Sequence, residues 1–274
     1  MAVIGDIQKH YNKIFAAEKK VADFILNNPG QTVMSNVSEL ASLSGVSDAT
    51  VIRLCKHIGY EGYYQMKLIL SNELGRTQIA DFSKVEDEPK SPIDLFQIVS
   101  NNLMSLASEI DMSALNACVD LIMSSKFVHV IAVGNTCPIS ADLAFRLGRL
   151  GIRTTTSMVQ EYFLNNLILA TKDDLLIGIS HSGSSTTVIR AFELAKAKGI
   201  KTIAISSSQN SPIAKLSDYM LLSPCSDRIF VEYAITSHIF EFAVVDLLLY
   251  YITKRISAGE EIDQVEMMLA ETKL

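Results

Sequence analysis

From residue 127 onward the chain alternates between unbroken aliphatic runs and longer stretches whose apolar positions recur every three or four residues. Phe127 to Val133, reading FVHVIAV, is a continuous apolar run suited to a strand buried on both faces. A turn at Gly134-Asn135-Thr136 leads into a helix ending near Gly151, and Ile152 to Thr156 reads as a second strand. A helix follows from about Val159 to Ala170, then a strand from Leu175 to Ile179, a helix from Thr186 to Lys198 stopped by Gly199, and a strand from Lys201 to Ile205. Two further helices, Pro92 to Glu109 and Ser113 to Ser124, precede this series. Strands alternating with helices predict right-handed crossovers and a parallel sheet flanked by helices on both faces.

The first 77 residues carry only helical spacing. Ile14, Val21, Phe24 and Ile25 mark a helix over 14–26, and Asn27-Asn28-Pro29-Gly30 is expected to stop it. Asn36 with Glu39 forms a capping-box pattern before a helix buried through Val37, Leu40 and Ala41. Gly45 supplies a turn, Ser47 caps a second helix with Val51, Leu54 and Ile58 on its inner stripe, and Gly59 ends it. That helix is expected to turn Asp48, Ala49, Thr50, Arg53, Lys56 and His57 outward. A helix in the major groove offers such groups to base edges from its N-terminal residues. Lys56, Tyr60, Tyr63 and Lys67 stand where phosphate contacts form. An ordinary helical hairpin with a solvated polar face has the same spacing, so periodicity leaves both readings open.

Residues 78–92, QIADFSKVEDEPKSP, join the halves with a charge run and two prolines, and a domain boundary is expected there. Residues 1–77 hold 8 Lys+Arg against 7 Asp+Glu; from totals of 24 and 30, the remainder holds 16 against 23. A net charge of −6 argues against a protein that coats nucleic acid without sequence preference, yet allows a local cationic face. Four cysteines, Cys55, Cys118, Cys137 and Cys225, form no CxxC pair, so neither a disulfide framework nor a zinc site is suggested. The apolar stretch Phe240 to Ile252 is interrupted by Glu241 and Asp246 and is too short for a bilayer span. A cytoplasmic protein without cofactor, metal or membrane partner is expected.

The strand ending at Ile179 runs into Ser180-His181-Ser182-Gly183-Ser184-Ser185. Loops at the carboxyl ends of parallel strands line the ligand crevice. Here four hydroxyls and the amides around Gly183 meet the start of a helix, where unpaired N–H groups and the helix dipole favour an anion. Serines also cap helices, but one cap accounts for only one of the four.

Two segments resemble known families. IFAAEKKVADFILNNP and SELASLSGVSDATVIRLCKHIGYEGYYQMK are similar to the N-terminal helix-turn-helix domain of the RpiR/MurR transcription regulators. The resemblance spans residues 1–77 and implies a recognition helix carrying Ser47, Thr50 and Arg53; with the groove chemistry above, the expected DNA contacts are Ser47, Asp48, Thr50, Arg53, Lys56, Tyr60 and Lys67. Ser180 to Ser185 match the S-x-S-G-x-(S/T) loop of sugar isomerase (SIS) domains, which holds a phosphosugar's phosphate. The family's first loop, G-x-G-x-S, is here Ala132-Val133-Gly134-Asn135-Thr136, with alanine for the leading glycine and threonine for the serine. SPIAKLSDYMLLSP and AVVDLLLYY resemble later SIS strands and the closing helix.

The resemblance implies an all-α helix-turn-helix domain (1–77), a linker and connecting helix (78–111), an α/β SIS domain of flavodoxin-like type (112–250) and a C-terminal tail (251–274). It implies a sequence-specific regulator of carbohydrate-metabolism genes that senses a phosphosugar. The expected ligand residues are Gly134, Asn135, Thr136, Ser180, His181, Ser182, Gly183, Ser184, Ser185 and Glu232. A homodimer or tetramer on an inverted-repeat operator is expected, with Ile239 to Ile252 serving either as oligomer surface or as internal core. SIS domains also occur in isomerases and lyases, which need a general base. His181, Glu232, His238 and Glu241 are the candidates for that second reading, Glu232 foremost; His238 and Glu241 are expected to face solvent. No paired base is legible from spacing, and a non-enzyme is expected.

Overall fold

The computed structural model describes residues 2–79, 91–224 and 237–256. Glu232 therefore lies outside the described residues, as does most of the 78–92 linker. The chain divides into two compact units, with the division between Ile98 and Val99.

In the first unit, α1 (Ala2–His10), α2 (Ala16–Asn27), α3 (Pro29–Met34), α4 (Val37–Leu43), α5 (Asp48–His57) and α6 (Tyr63–Ile79) follow one another. They enclose one core that fully buries Val3, Ile7, Val21, Ile25, Leu40, Val51, Leu54, Met66 and Leu70. The expected stop at Asn27 to Gly30 forms, and a new helix starts within it. α2 ends at Asn27, but Pro29 takes the first position of α3, where its missing N–H costs nothing. α1 is a helix the periodicity reading passed over; Val3 and Ile7, four residues apart, are its buried stripe.

Asn36 accepts from the amides of Ser38 and Glu39, and Glu39 returns a bond to the Asn36 amide, so the expected capping box forms. Gly45 adopts φ +64°, and the Val46 amide bonds to the Ala41 carbonyl, closing the turn between α4 and α5.

The second unit holds a five-stranded sheet, all parallel, in the order β2-β1-β3-β4-β5. The strands are β1 (Val128–Ala132), β2 (Thr154–Thr155), β3 (Leu175–Ile179), β4 (Lys201–Ser206) and β5 (Tyr219–Leu222). Helix α7 (Pro92–Glu109) leads into α8 (Met112–Ser124), which packs on the sheet with α9 (Cys137–Arg149) and α13 (Ile239–Arg255). On the other face lie α10 (Gln160–Leu169), α11 (Thr186–Lys198) and α12 (Pro212–Leu216). Phe163, Leu167, Val188 and Phe192 from these helices pack against Ile131, Leu176 and Ala204 of the strands. At Gly178 the packing leaves no room for a side chain, since a Cβ there would stand 2.1 Å from the Phe192 ring.

The closing helix has an inner stripe that belongs to the core. Phe240, Val244, Leu248 and Ile252 of α13 are buried within the unit, so this stripe is internal core. None of the described helices is long and apolar enough to cross a membrane.

Candidate functional site

The strand order reverses direction between β1 and β3, the switch point where the loops after the two strands diverge and leave a crevice. Ala132 and Ile179, the last residues of β1 and β3, are register partners, which sets the loop 133–136 beside the loop 180–185.

In the first loop Gly134 takes φ +66° and begins a single 3-10 turn, and Gly134 and Asn135 are exposed. Thr136 departs from expectation. It is buried, and its hydroxyl donates to the carbonyls of Val133 (3.0 Å) and Ile179 (3.3 Å). It ties the first loop to the end of β3, so its hydroxyl is not free for a ligand.

In the second loop Gly183 takes φ +62°, and its amide donates to the Ser180 carbonyl. Ser180 is buried and bonds across to Ser185 Oγ at 3.3 Å, while Ser182 and Ser184 bond to one another around the turn. Ser185 occupies the cap position of α11 but makes no side-chain cap bond. The ordinary capping role is thus not taken, and the first-turn amides of α11 face the loop without one. Ser182, Ser184 and Ser185 are partly exposed around that end.

A third loop supports the second, and sequence reasoning missed it. Ser206 Oγ, Ser207 Oγ and the Ser207 amide all donate to the His181 carbonyl, at 3.1, 2.7 and 3.0 Å. The Ile213 amide donates to the Gly183 carbonyl, and buried Ser211 caps α12. Ser206-Ser207-Ser208 after β4 was the available signal.

The expectation that His238 and Glu241 face solvent is overturned. Glu241 is completely buried, and its Oε1 lies 2.5 Å from His181 Nδ1. His238 Nδ1 stands 3.6 Å from Oε2, too long for a hydrogen bond. Burial alone pushes the Glu241 carboxyl up, but the bond from His181 and the nearness of His238 outweigh it and hold the group low, at about 2. Residues 57 and 60 positions apart meet because β3 and α13 both reach this edge.

On α5 the exposed residues are Ala49, Ile52, Arg53, Lys56 and His57, with Ser47 exposed just before the helix. Three expected DNA contacts are turned inward or already bonded. Thr50 is buried, with its hydroxyl bonded to Ser47 Oγ and accepting from the Arg53 guanidinium. Its place on the helix is one turn from Leu54 and beside Val51, on the core side. Tyr60 is buried and donates to Asp6 at 2.7 Å. Lys67 donates to the Ser35 carbonyl at 2.9 Å. Asp48 keeps partial exposure but accepts from the Ser38 hydroxyl, and His57 bonds to buried Glu18. Arg53, Lys56 and Ser47 are the expected contacts whose side chains stand exposed.

Burial lowers the Lys67 ammonium to about 8, with the Glu39 charge opposing. A lysine whose folded value lies below its unfolded one costs stability while charged, and that cost disappears as pH rises from 8 towards 10.5. Lys67→Met leaves the Ser35 carbonyl paired with the Tyr63 hydroxyl. The variant is expected to melt above wild type at pH 7, with the gap closing by pH 10.5, in thermal melts of the full chain. A gap that holds constant across this range would show that Lys67 is not buried as a charge.

The family model for the rpiR-family helix-turn-helix domain matches residues 1–77, and that for the SIS domain matches residues 121–250. An uncharacterised HTH-type transcriptional regulator of Haemophilus influenzae is 28% identical over 253 residues, covering 90% of this chain and 88% of its own. HexR of Pseudomonas aeruginosa, an HTH-type transcriptional regulator, is 26% identical over 260 residues, covering 92% and 90%. The structure of Vibrio vulnificus NanR complexed with ManNAc-6P superposes with a TM-score of 0.83 at 24% identity over 99% of both chains, which establishes a shared fold.

A helix-turn-helix module followed by a sugar-isomerase-type α/β unit defines a class, the DNA-binding transcription regulators with a SIS domain. Within that class the chain carries an rpiR-family helix-turn-helix domain at residues 1–77 and a SIS domain at residues 121–250.

Proposed function

We propose that this regulator senses a phosphosugar through the loop 180–185 and controls carbohydrate-metabolism genes from the cytoplasm, as a homodimer or tetramer on an inverted-repeat operator. The observation that carries the proposal is the uncapped start of α11, ringed by Ser182, Ser184 and Ser185 beside the exposed Gly134-Asn135 turn. Free amides, hydroxyl donors and a helix dipole together favour a doubly charged phosphate ester. NanR, whose fold this chain shares, was solved with ManNAc-6P, and this supports the ligand class. A sugar phosphate that binds one arrangement of the oligomer better than another shifts the spacing of two α5 helices, and only that difference in affinity moves the equilibrium. Symmetric half-sites about one duplex turn apart match such a dimer.

The test is a screen of hexose and amino-sugar phosphates by thermal shift on the full chain. At about 100 times its Kd, a ligand specific for the folded state adds about 2.7 kcal/mol, roughly 5–10 °C for a domain of this size. Replacing Ser182 and Ser185 together by alanine is expected to remove that shift while the protein stays folded. An undiminished shift in the double variant would remove the pocket from this loop.

One observation favours a second reading, isomerase or lyase: His181 beside Glu241 is a base with an orienting carboxylate. The relatives are named as regulators, and the regulator reading expects no turnover of sugar phosphates by the purified chain. Turnover lost in His181→Gln would favour the second reading.

A further inference from the structure

We propose that His181, His238 and Glu241 form a binding site for one divalent transition-metal ion of the zinc class. The site shares His181 with the loop 180–185, but metal binding by the chain without sugar phosphate is read separately from phosphosugar sensing.

The donor set is two imidazoles and one carboxylate, which suits zinc and its neighbours rather than magnesium or calcium. The ligand atoms of the three residues all lie within 4.8 Å of one another. An ion about 2.0–2.2 Å from each donor joins atoms up to about 4 Å apart, so side-chain shifts of about an ångström assemble the site. His238 and Glu241 lie three residues apart, at the cap and first turn of α13, and therefore share a face. His181 comes from the loop after β3, where the three donors from Ser206 and Ser207 fix its carbonyl.

Among the described residues, both ring nitrogens of His238 and Oε2 of Glu241 are buried without a hydrogen-bond partner. A completely buried carboxylate with one unsatisfied oxygen, beside an imidazole with two unsatisfied nitrogens, lacks a group that accepts lone pairs from both. A cation is such a group. His181 Nδ1 donates to Glu241 Oε1 at 2.5 Å; on metal binding that proton leaves Nδ1 for the other ring nitrogen or for solvent, and the two groups separate to ligand spacing. The rings of His181 and His238 keep 24% and 15% exposure, which gives the ion a way in. Three protein ligands leave a fourth position for water. The sequence holds no compact metal motif because the loop and the helix supply the donors from positions 181 and 238–241.

Cobalt titration of the untagged full-length chain tests the proposal. The expected result is saturable ligand-field absorption at one ion per chain, displaced by zinc, with zinc also raising the melting temperature. His181→Gln and His238→Gln each keep some exposure at the altered site and are expected to fold, which far-UV dichroism checks, while weakening metal binding by at least about 100-fold. No saturable absorption in the wild type would overturn the proposal, as would absorption undiminished in both variants. Either result would leave a His181–Glu241 hydrogen bond with His238 beside it in its place.

Discussion

Gly183→Ala is expected to abolish the thermal shift given by sugar phosphates and to lower the melting temperature of the SIS unit. Gly183 sits at φ +62°, where a Cβ costs about 1–2 kcal/mol. The added carbon would stand 2.2 Å from Ser211 Cβ, 2.3 Å from Ser211 Oγ and 2.8 Å from Ser206 Oγ. Neither serine is a flexible chain end: Ser211 caps α12, and Ser206 braces the His181 carbonyl. Relief of the overlap must therefore shift the loop itself, at a cost of about 1–3 kcal/mol or more. Together the two effects predict a fall of roughly 5–15 °C. Differential scanning fluorimetry with and without ligand reads both results. A variant that melts like wild type and still responds to ligand would mean that the loop is not held by the contacts described.

Arg53→Ala is expected to cost operator binding and leave the ligand response intact. Arg53 is exposed on α5, and among the described residues its guanidinium donates to the Thr50 hydroxyl at 3.2 Å. A guanidinium contact to a base edge is worth about 1–3 kcal/mol, so affinity should drop about 5- to 150-fold and sequence discrimination at one position should relax. Fluorescence anisotropy against operator and scrambled duplexes measures both. Full operator affinity in the variant would take α5 out of the groove. The Thr50–Arg53 bond gives buried Thr50 an indirect part, since it can steady the guanidinium from behind.

Legibility from the sequence depended on how local each signal was. The parallel strands were readable because β1 and β3 are buried along their length, and β4 after Lys201, so each carries an aliphatic run. The hydroxyl-rich loop was readable because its donors lie within six residues. Thr50, Tyr60 and Lys67 have partners that the sequence pattern does not show, because a polar side chain ranked as outward by its polarity can still bond to Arg53, Asp6 or the Ser35 carbonyl. Thr136 misled in the same way, its hydroxyl bridging two carbonyls. Glu241 was invisible as a buried group because its partner His181 is 60 residues away and only the folded sheet edge brings them together.

A phosphate seated at the start of α11 is tested most directly by a structure of the chain with a bound sugar phosphate. The predicted result places phosphate oxygens about 3 Å from the hydroxyls of Ser182 and Ser185 and from the first amides of α11. A phosphate bound at another edge of the sheet, with that loop unengaged, would contradict it.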